Sequence, residues 1–166
     1  MVDKKLFKII YCVDADVFFD LWGNNAYPRY SKNVNKPVWN HFNKLIREGR
    51  VISVGAIRED LMKDSDKKFQ TWVIKNDLMF KKYTEDQVAI LRRIVNKHPS
   101  YTKTFKNYSD PILVAYAGSI DENVLTLEQR TAGTALPDPP KVPDLCDLEG
   151  ITRKHMNDFV VDEAIL

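Results

Sequence analysis

Four carboxylates, Asp14, Asp60, Asp110 and Glu128, are scattered along the chain, each at the end of an apolar strand-like run or at a strand-to-helix junction. A fold that makes those segments neighbours lines one edge of its sheet with acid. Carboxylates gathered out of water lose hydration and repel one another, and a divalent cation is the usual compensation. The pattern therefore describes a candidate metal site of oxygen ligands. Two further acids stand close by: Asp16, two residues after Asp14, and Glu59, next to Asp60. Thr126 shares its side of an extended segment with Glu128 and offers a hydroxyl to orient a ligand or a water. Taken singly, each residue has a plainer use. Asp14 and Asp110 sit where aspartate caps helices, Asp110 directly ahead of Pro111, and Glu59 with Asp60 reads as surface charge. Only their joint placement at one sheet edge raises the chemical reading above these.

Other chemistries lack their residues. His41, His98 and His155 have no ligand spacing with one another or with the two cysteines, Cys12 and Cys146, so surface histidines and buried thiols are expected. Two cysteines exclude a disulfide framework and a four-cysteine zinc site. There is no phosphate-binding loop, dinucleotide fingerprint or nucleophile elbow, which removes support for nucleotide hydrolysis and hydride transfer. Hydrophobic residues make up 44% and charged residues 29% of the chain, as in ordinary globular proteins. No apolar run approaches the roughly 20 residues of a membrane span. Leu6 to Val13 is interrupted by Lys8, unlike a secretory signal, so a cytoplasmic, membrane-free protein is expected. A net charge of +2 implies no diffuse field for nucleic acid. Lys4, Lys5 and Lys8, then Lys97, Lys103 and Lys106, are local candidates for phosphate contacts, with a solvated face as the plainer reading.

The elements that must position the acids follow from periodicity and punctuation. Phe7 to Val13 suits a strand buried on both faces, ending at Asp14, with a short helix over 15–22. Pro37 opens a helix carrying Trp39, Phe42, Leu45 and Ile46, and Gly49 stops it. Arg50 to Val54 reads as a second strand that turns at Gly55 into a helix with Ile57, Leu61 and Met62. Ser65 is the expected cap of a helix buried through Phe69, Trp72 and Val73. Thr84 and Gln87 form a capping box ahead of Val88, Leu91, Ile94 and Val95. A polar, aromatic loop over 100–108 precedes a helix capped by Asp110 and ended by Gly118. A strand follows at Asn123 to Thr126, then a proline-rich loop over 133–143, a short helix over 142–148, a strand over 151–153 and a helix over 155–164. Strands separated by helices imply right-handed crossovers. The expected fold is one domain over 1–166, a three-layer α/β/α sandwich with a central mainly parallel sheet. In such sheets ligands bind beyond the carboxyl ends of the strands, where Asp14 and 126–128 fall.

As a set, the motifs resemble those of the PIN-like nucleases, in particular the PIN-like family DUF4411, over nearly the whole chain. Tyr11-Cys12-Val13-Asp14 is similar to the opening strand and first acid, and Tyr27-Pro28 leading to Val38-Trp39-Asn40-His41-Phe42 to the aromatic helix. Glu48-Gly49-Arg50-Val51-Ile52-Ser53 resembles the second strand. Ser109-Asp110-Pro111-Ile112-Leu113-Val114-Ala115 is similar to the third acidic motif, and Val124-Leu125-Thr126-Leu127-Glu128 to the Thr-x-acid motif. Lys141-Val142-Pro143-Asp144-Leu145-Cys146 resembles a segment near the family's C-terminus.

The resemblance implies that Asp14, Asp110 and Glu128 ligate Mg²⁺ or Mn²⁺. The family's second acid stands immediately before Leu; that position is Asp60 here, with Glu59 one residue earlier as the alternative. The family's small polar pair after the first acid is Ala15-Asp16, which removes a hydroxyl and adds a carboxylate. The implied activity is that of an endoribonuclease, a hydrolase that cuts RNA phosphodiester bonds with metal-activated water. Lys103, Lys106 and Thr126 are then substrate-binding candidates, and Tyr101, Phe105 or Tyr108 candidates to stack a base. The resemblance also implies a toxin of a toxin-antitoxin pair, with an antitoxin protein as partner and a homodimer as assembly. Two other readings stay open: a catalytically weak or inactive PIN-like module that binds RNA or protein, and a DNA-directed nuclease of the flap type.

Overall fold

The computed structural model describes residues 9–104, 107–133 and 135–165. Tyr11–Val13 (β1) is buried at every position, as a strand covered on both faces must be. Asp14 breaks the run and caps α1 (Ala15–Trp22), which Gly23 closes in the left-handed region at φ 98°. Asn35 caps α2 (Lys36–Arg47), whose buried stripe is Val38, Phe42 and Leu45. The fully buried β2 (Val51–Val54) runs directly into α3 (Gly55–Met62). Next come α4 (Lys67–Lys75), the two-residue β3 (Phe80–Lys81) and α5 (Glu85–Lys97), opened by the Thr84–Gln87 capping box. A single turn, α6 (Ser100–Lys103), precedes α7 (Ser109–Ile120), in which Ser109 through Ala117 are all buried. The chain ends in β4 (Asn123–Thr126), α8 (Val142–Glu149), β5 (Arg153–His155) and α9 (Met156–Asp162).

The five strands form one all-parallel sheet in the order β3-β2-β1-β4-β5. From β1 the chain steps outward to β2 and β3, then returns across the sheet to β4 and β5. Right-handed crossovers send helices to opposite faces when the direction reverses. Accordingly α7 lies against β1, β2 and β4 with α5 and α8 packed on it. On the other face Phe159 of α9 meets Tyr11 and Phe42, with ring centroids 5.0 and 6.1 Å apart. The result is the expected three-layer sandwich. Its reversal falls between β1 and β4, and the crevice beyond their carboxyl ends is where such folds bind ligands.

Several local expectations are corrected. Strand β1 begins at Tyr11, after Ile9 and Ile10, while Phe7 and Lys8 lie outside the described residues. Asp66, not Ser65, caps α4, its carboxylate accepting from Lys68 and Phe69 N–H at 2.9 and 3.2 Å. Val88 stays 37% exposed, and Gln87 turns inward instead to donate to the Ile112 carbonyl. Gly118 does not end α7, which continues to a left-handed Asp121. A Cβ at Gly118 would stand 2.9 Å from Ile151 Cδ1, so close helix-to-loop packing explains that glycine. The last strand lies two residues beyond its expected place, and β3 has no signal a two-residue edge strand could carry.

The histidines are half-buried rather than surface groups. His155 caps α9, and His41 joins a polar knot at the amino ends of β1 and β2. There Glu163 accepts from the Tyr11 hydroxyl at 2.9 Å and lies 3.0 Å from His41 Nε2. Both terminal nitrogens of Arg50 also donate to it. Burial pushes the Glu163 carboxyl up, but the bonds from His41, Arg50 and Tyr11 outweigh it and hold it below the usual glutamate range. Glu163→Ala is expected to cost about 3 kcal/mol in urea unfolding at neutral pH, because it strands a largely buried guanidinium. Since the folded carboxyl is the stronger acid, that deficit shrinks as pH falls through its titration. A loss that is small and independent of pH would contradict this role.

Candidate functional site: an acidic cleft at the sheet reversal

The strand ladder sets the first acid. Val13 pairs with Leu125, and the Asp14 N–H extends the ladder by donating to the Leu125 carbonyl at 3.0 Å. This leaves Asp14 beside Thr126, one step past the end of each strand. Ser53 on β2 donates to the Val13 carbonyl at 2.7 Å and fixes the strand end from the other side. Asp14 Oδ1 accepts from Ala15 N–H at 2.7 Å, so the capping role is real. Its Oδ2 lies 3.1 Å from the Thr126 hydroxyl, which is also 3.2 Å from Asp16 Oδ2. Asp16 accepts from Leu127 N–H as well, and Glu128 N–H donates to Thr126 Oγ1 at 3.1 Å. Thr126, 2% exposed, is thus the hub that sets three acids in register. Glu128 Oε2 in turn accepts from Val142 N–H in the first turn of α8 at 3.1 Å.

Asp14, Asp16, Asp60, Asp110 and Glu128 line one cleft of about 430 Å³, together with Phe19, Asn25, Lys63, Asn107, Tyr108 and Ser109. The expected convergence of Asp14, Asp60, Asp110 and Glu128 is therefore present. Asp110 is not the cap of α7: Tyr108 occupies that place, and Asp110 stands in the first turn, 8% exposed. Its plainer explanation falls away. Of the adjacent pair, Asp60 faces the cleft, whereas Glu59 is exposed and accepts from the Tyr108 hydroxyl at 3.1 Å. Lys103 is exposed and is not among the cleft-lining residues, and Lys106 and Phe105 lie outside the described residues. Tyr101 is buried, donating to the Pro140 carbonyl at 2.5 Å, so it cannot stack a base. Thr126 binds the acids rather than facing the cleft, a positioning role in place of substrate contact.

Lys63 was not anticipated. It lies three residues after Asp60 and pairs with it at 3.0 Å on the cleft rim. Asn25, Asn107 and Ser109 were missed too, since loop amides and hydroxyls carry no spacing signal. The i,i+3 relation to Asp60 was the one available sign for Lys63.

The electrostatics show the crowding. Burial first, then the charges of Asp16, Asp110 and Glu128, push the Asp14 carboxyl well above the aspartate range. Burial, with repulsion from Glu128, Asp16 and Asp60, lifts Asp110 to about 8. Burial also raises Asp16 to about 6, although bonds from Leu127 and Thr126 pull the other way. Among the described residues, no group of three or more His, Cys, Asp or Glu side chains is disposed to hold a metal ion as it stands. The acids share a cleft without closing on one point.

Among known families, the chain matches the model of a domain of unknown function, DUF4411, over residues 11–164. The chain belongs to the DUF4411 family. The match runs from the first residue of β1 to just past α9, so all five acids of the cleft lie inside this DUF4411 domain. No curated protein matches it. Among the described residues no helix is long and apolar enough to cross a membrane.

A raised carboxyl is a stability statement. The folded chain holds protons that the unfolded chain has released, so stability present at low pH drains away as pH climbs from about 4 toward 8. In chelator, Asp110→Asn is expected to melt several degrees above wild type near pH 8.5, at about 2–4 °C per kcal/mol for this size. The gap should narrow as pH falls and close only by about pH 4, where Asp110 is protonated in the unfolded chain as well as the folded one. A variant that melts lower than wild type at alkaline pH would contradict the crowding.

Proposed function

We propose that this chain is a metal-dependent endoribonuclease of PIN-like type. The observation that carries the proposal is the convergence of five carboxylates from four separate segments on one cleft at the sheet reversal. Asp110 there has no capping duty to explain it. Stability alone gives no reason to gather acids whose ionisation the fold opposes.

The donor set fits Mg²⁺ or Mn²⁺, hard cations that take oxygen ligands. Mg²⁺ keeps several waters and needs only one or two direct carboxylates, so a cleft with no group of three disposed around one point is compatible with it. Asp14 and Asp110, the deepest acids, would hold the cation, with Asp16, Asp60 and Glu128 lining the cleft around it. When bound, the cation supplies the Lewis acidity that ionises a water and offsets charge on the phosphate. Thr126 keeps Asp14 and Asp16 oriented, and Glu128 is steadied by the first turn of α8. Lys63, 73% exposed at its side chain, can leave Asp60 to meet a phosphate oxygen. Asn25, Asn107 and Tyr108 offer polar contacts to the strand from the rim. The toxin role, with an antitoxin partner and a homodimer, extends this proposal on the family resemblance alone.

The Lys63–Asp60 pair, and the lack of a converged ligand group among the described residues, favour a second reading, a PIN-like module that binds RNA or protein without cutting. Cleavage of a mixed panel of RNA and single-stranded DNA in Mn²⁺ separates the two. The nuclease predicts cutting of RNA that chelator and Asp110→Asn both abolish, with Thr126→Val slowing it about 10- to 100-fold. RNA retained but uncut by wild type would decide for the binding module. Cutting that survives Asp110→Asn would remove the cleft from the chemistry.

A further inference from the structure

We propose that the groove between α1 and α4, floored by Trp22 and Trp72 and edged by lysines, is a track for single-stranded nucleic acid leading to the acidic cleft. For the identity of that strand as RNA this rests on the proposed function. The groove, of about 450 Å³, is lined by Trp22, Lys67, Lys68, Thr71, Trp72 and Lys75.

The aromatic floor is rigid. The rings of Trp22 and Trp72 lie 6.0 Å apart, and Trp39 packs against both at 5.8 and 5.4 Å. Their N–H edges are committed, Trp22 to Asp66 at 2.9 Å and Trp72 to Asn43 at 3.2 Å. What remains for a ligand is ring surface, which stacks bases without regard to sequence. Lys32 Nζ stands 3.0 Å from the Trp22 ring centroid, so that face already attracts a cation. A base reaches Trp22 by displacing the ammonium toward the phosphates; among the described residues no cation covers Trp72.

The charge is unspent. Lys67, Lys68 and Lys75 are exposed, and none forms an ion pair among the described residues. Lys67 and Lys75 stand two i,i+4 steps apart on one helix face, roughly 12 Å along the axis. Lys63 of the cleft rim closes α3, and the short turn over 64–66 joins it to Lys67 at the start of α4. Helix α1 spans the same interval, with Asp16 in the cleft at its start and Trp22 in the groove at its end. Phe19, also in the cleft, packs on Phe69 of α4 at 5.6 Å. A strand lying along α4 thus meets cations outside and carboxylates at the point where a divalent ion would be needed. An acidic protein segment would match the lysines but not the flat rings.

The three tryptophans of the chain are those of this cluster, so intrinsic fluorescence reports on the groove directly. Wild-type protein in chelator is titrated with a dodecameric single-stranded RNA, its DNA counterpart, a duplex of the same sequence and a polyglutamate peptide. Single strands are expected to quench the tryptophans. Lys67→Gln combined with Lys75→Gln should weaken binding at least about tenfold at low salt and reduce the log–log salt slope by about 1.4, at 0.7 per lysine. Unchanged affinity and slope in that variant, with its melting temperature preserved, would overturn the track. So would tighter binding of duplex, or quenching by polyglutamate alone. Cleavage in Mn²⁺, run in parallel, separates the two proposals. Groove binding without cutting sustains the track and removes the nuclease. Cutting with an indifferent groove does the reverse.

Discussion

Mutual repulsion among carboxylates held out of water is the constraint around which the molecule is organised. Asp14, Asp16 and Asp110 are each pushed above the aspartate range by burial; Glu128 adds to all three, Asp16 to Asp14 and Asp110, and Asp110 to Asp14. Nothing in the core requires this. The sheet closes on Tyr11, Cys12, Val13, Val124 and Leu125, all fully buried, without any help from the acids. The cleft is therefore a cost carried by a scaffold stable enough to hold it, and strain of this kind concentrates at functional sites.

The scaffold holds the acids by ordinary means. Parallel pairing of β1 with β4 places their ends side by side, and the sheet reversal opens a crevice there. Thr126 joins Asp14 to Asp16, Ser53 fixes the end of β1, and Gln87 ties α5 to α7 near Asp110. At the opposite end of the strands, Glu163 gathers Tyr11, His41 and Arg50 and secures the chain end after α9. One end of the sheet is thus tied by opposite charges, while the other accumulates like charges. The tryptophan and lysine groove runs outward from the acidic end along α1 and α4.

The parallel sandwich was legible because short, β-branched apolar runs ending in Asp14 and Thr126 suit buried strands separated by helices. The four acids were legible for the same reason, since strand ends locate them without any contact being known. Tertiary packing decided what local pattern could not. Asp110-Pro111 carries the signature of a helix start, yet the backbone enters α7 two residues sooner, at Ser109. Tyr101, in a polar stretch, is drawn into the core by the Pro140 carbonyl across the fold. The role of Thr126 as hub depends on β1 and β4 being neighbours, and Lys63 acquires meaning only once Asp60 faces the cleft. The groove was invisible because Trp22 and Trp72 are 50 residues apart in sequence and each reads as core.

The central claim is that the cleft is built to be neutralised by a divalent cation. Calorimetric titration of Mn²⁺ into the protein near neutral pH, repeated in buffers of different ionisation enthalpy, tests it most directly because it counts protons as well as ions. Carboxyls raised by crowding must give up protons when the cation takes their place, so binding should release about one proton or more per ion at pH 7 and fewer at pH 9, where Asp110 is already ionised. Failure to bind Mn²⁺, or binding with no proton released at either pH, would contradict the account.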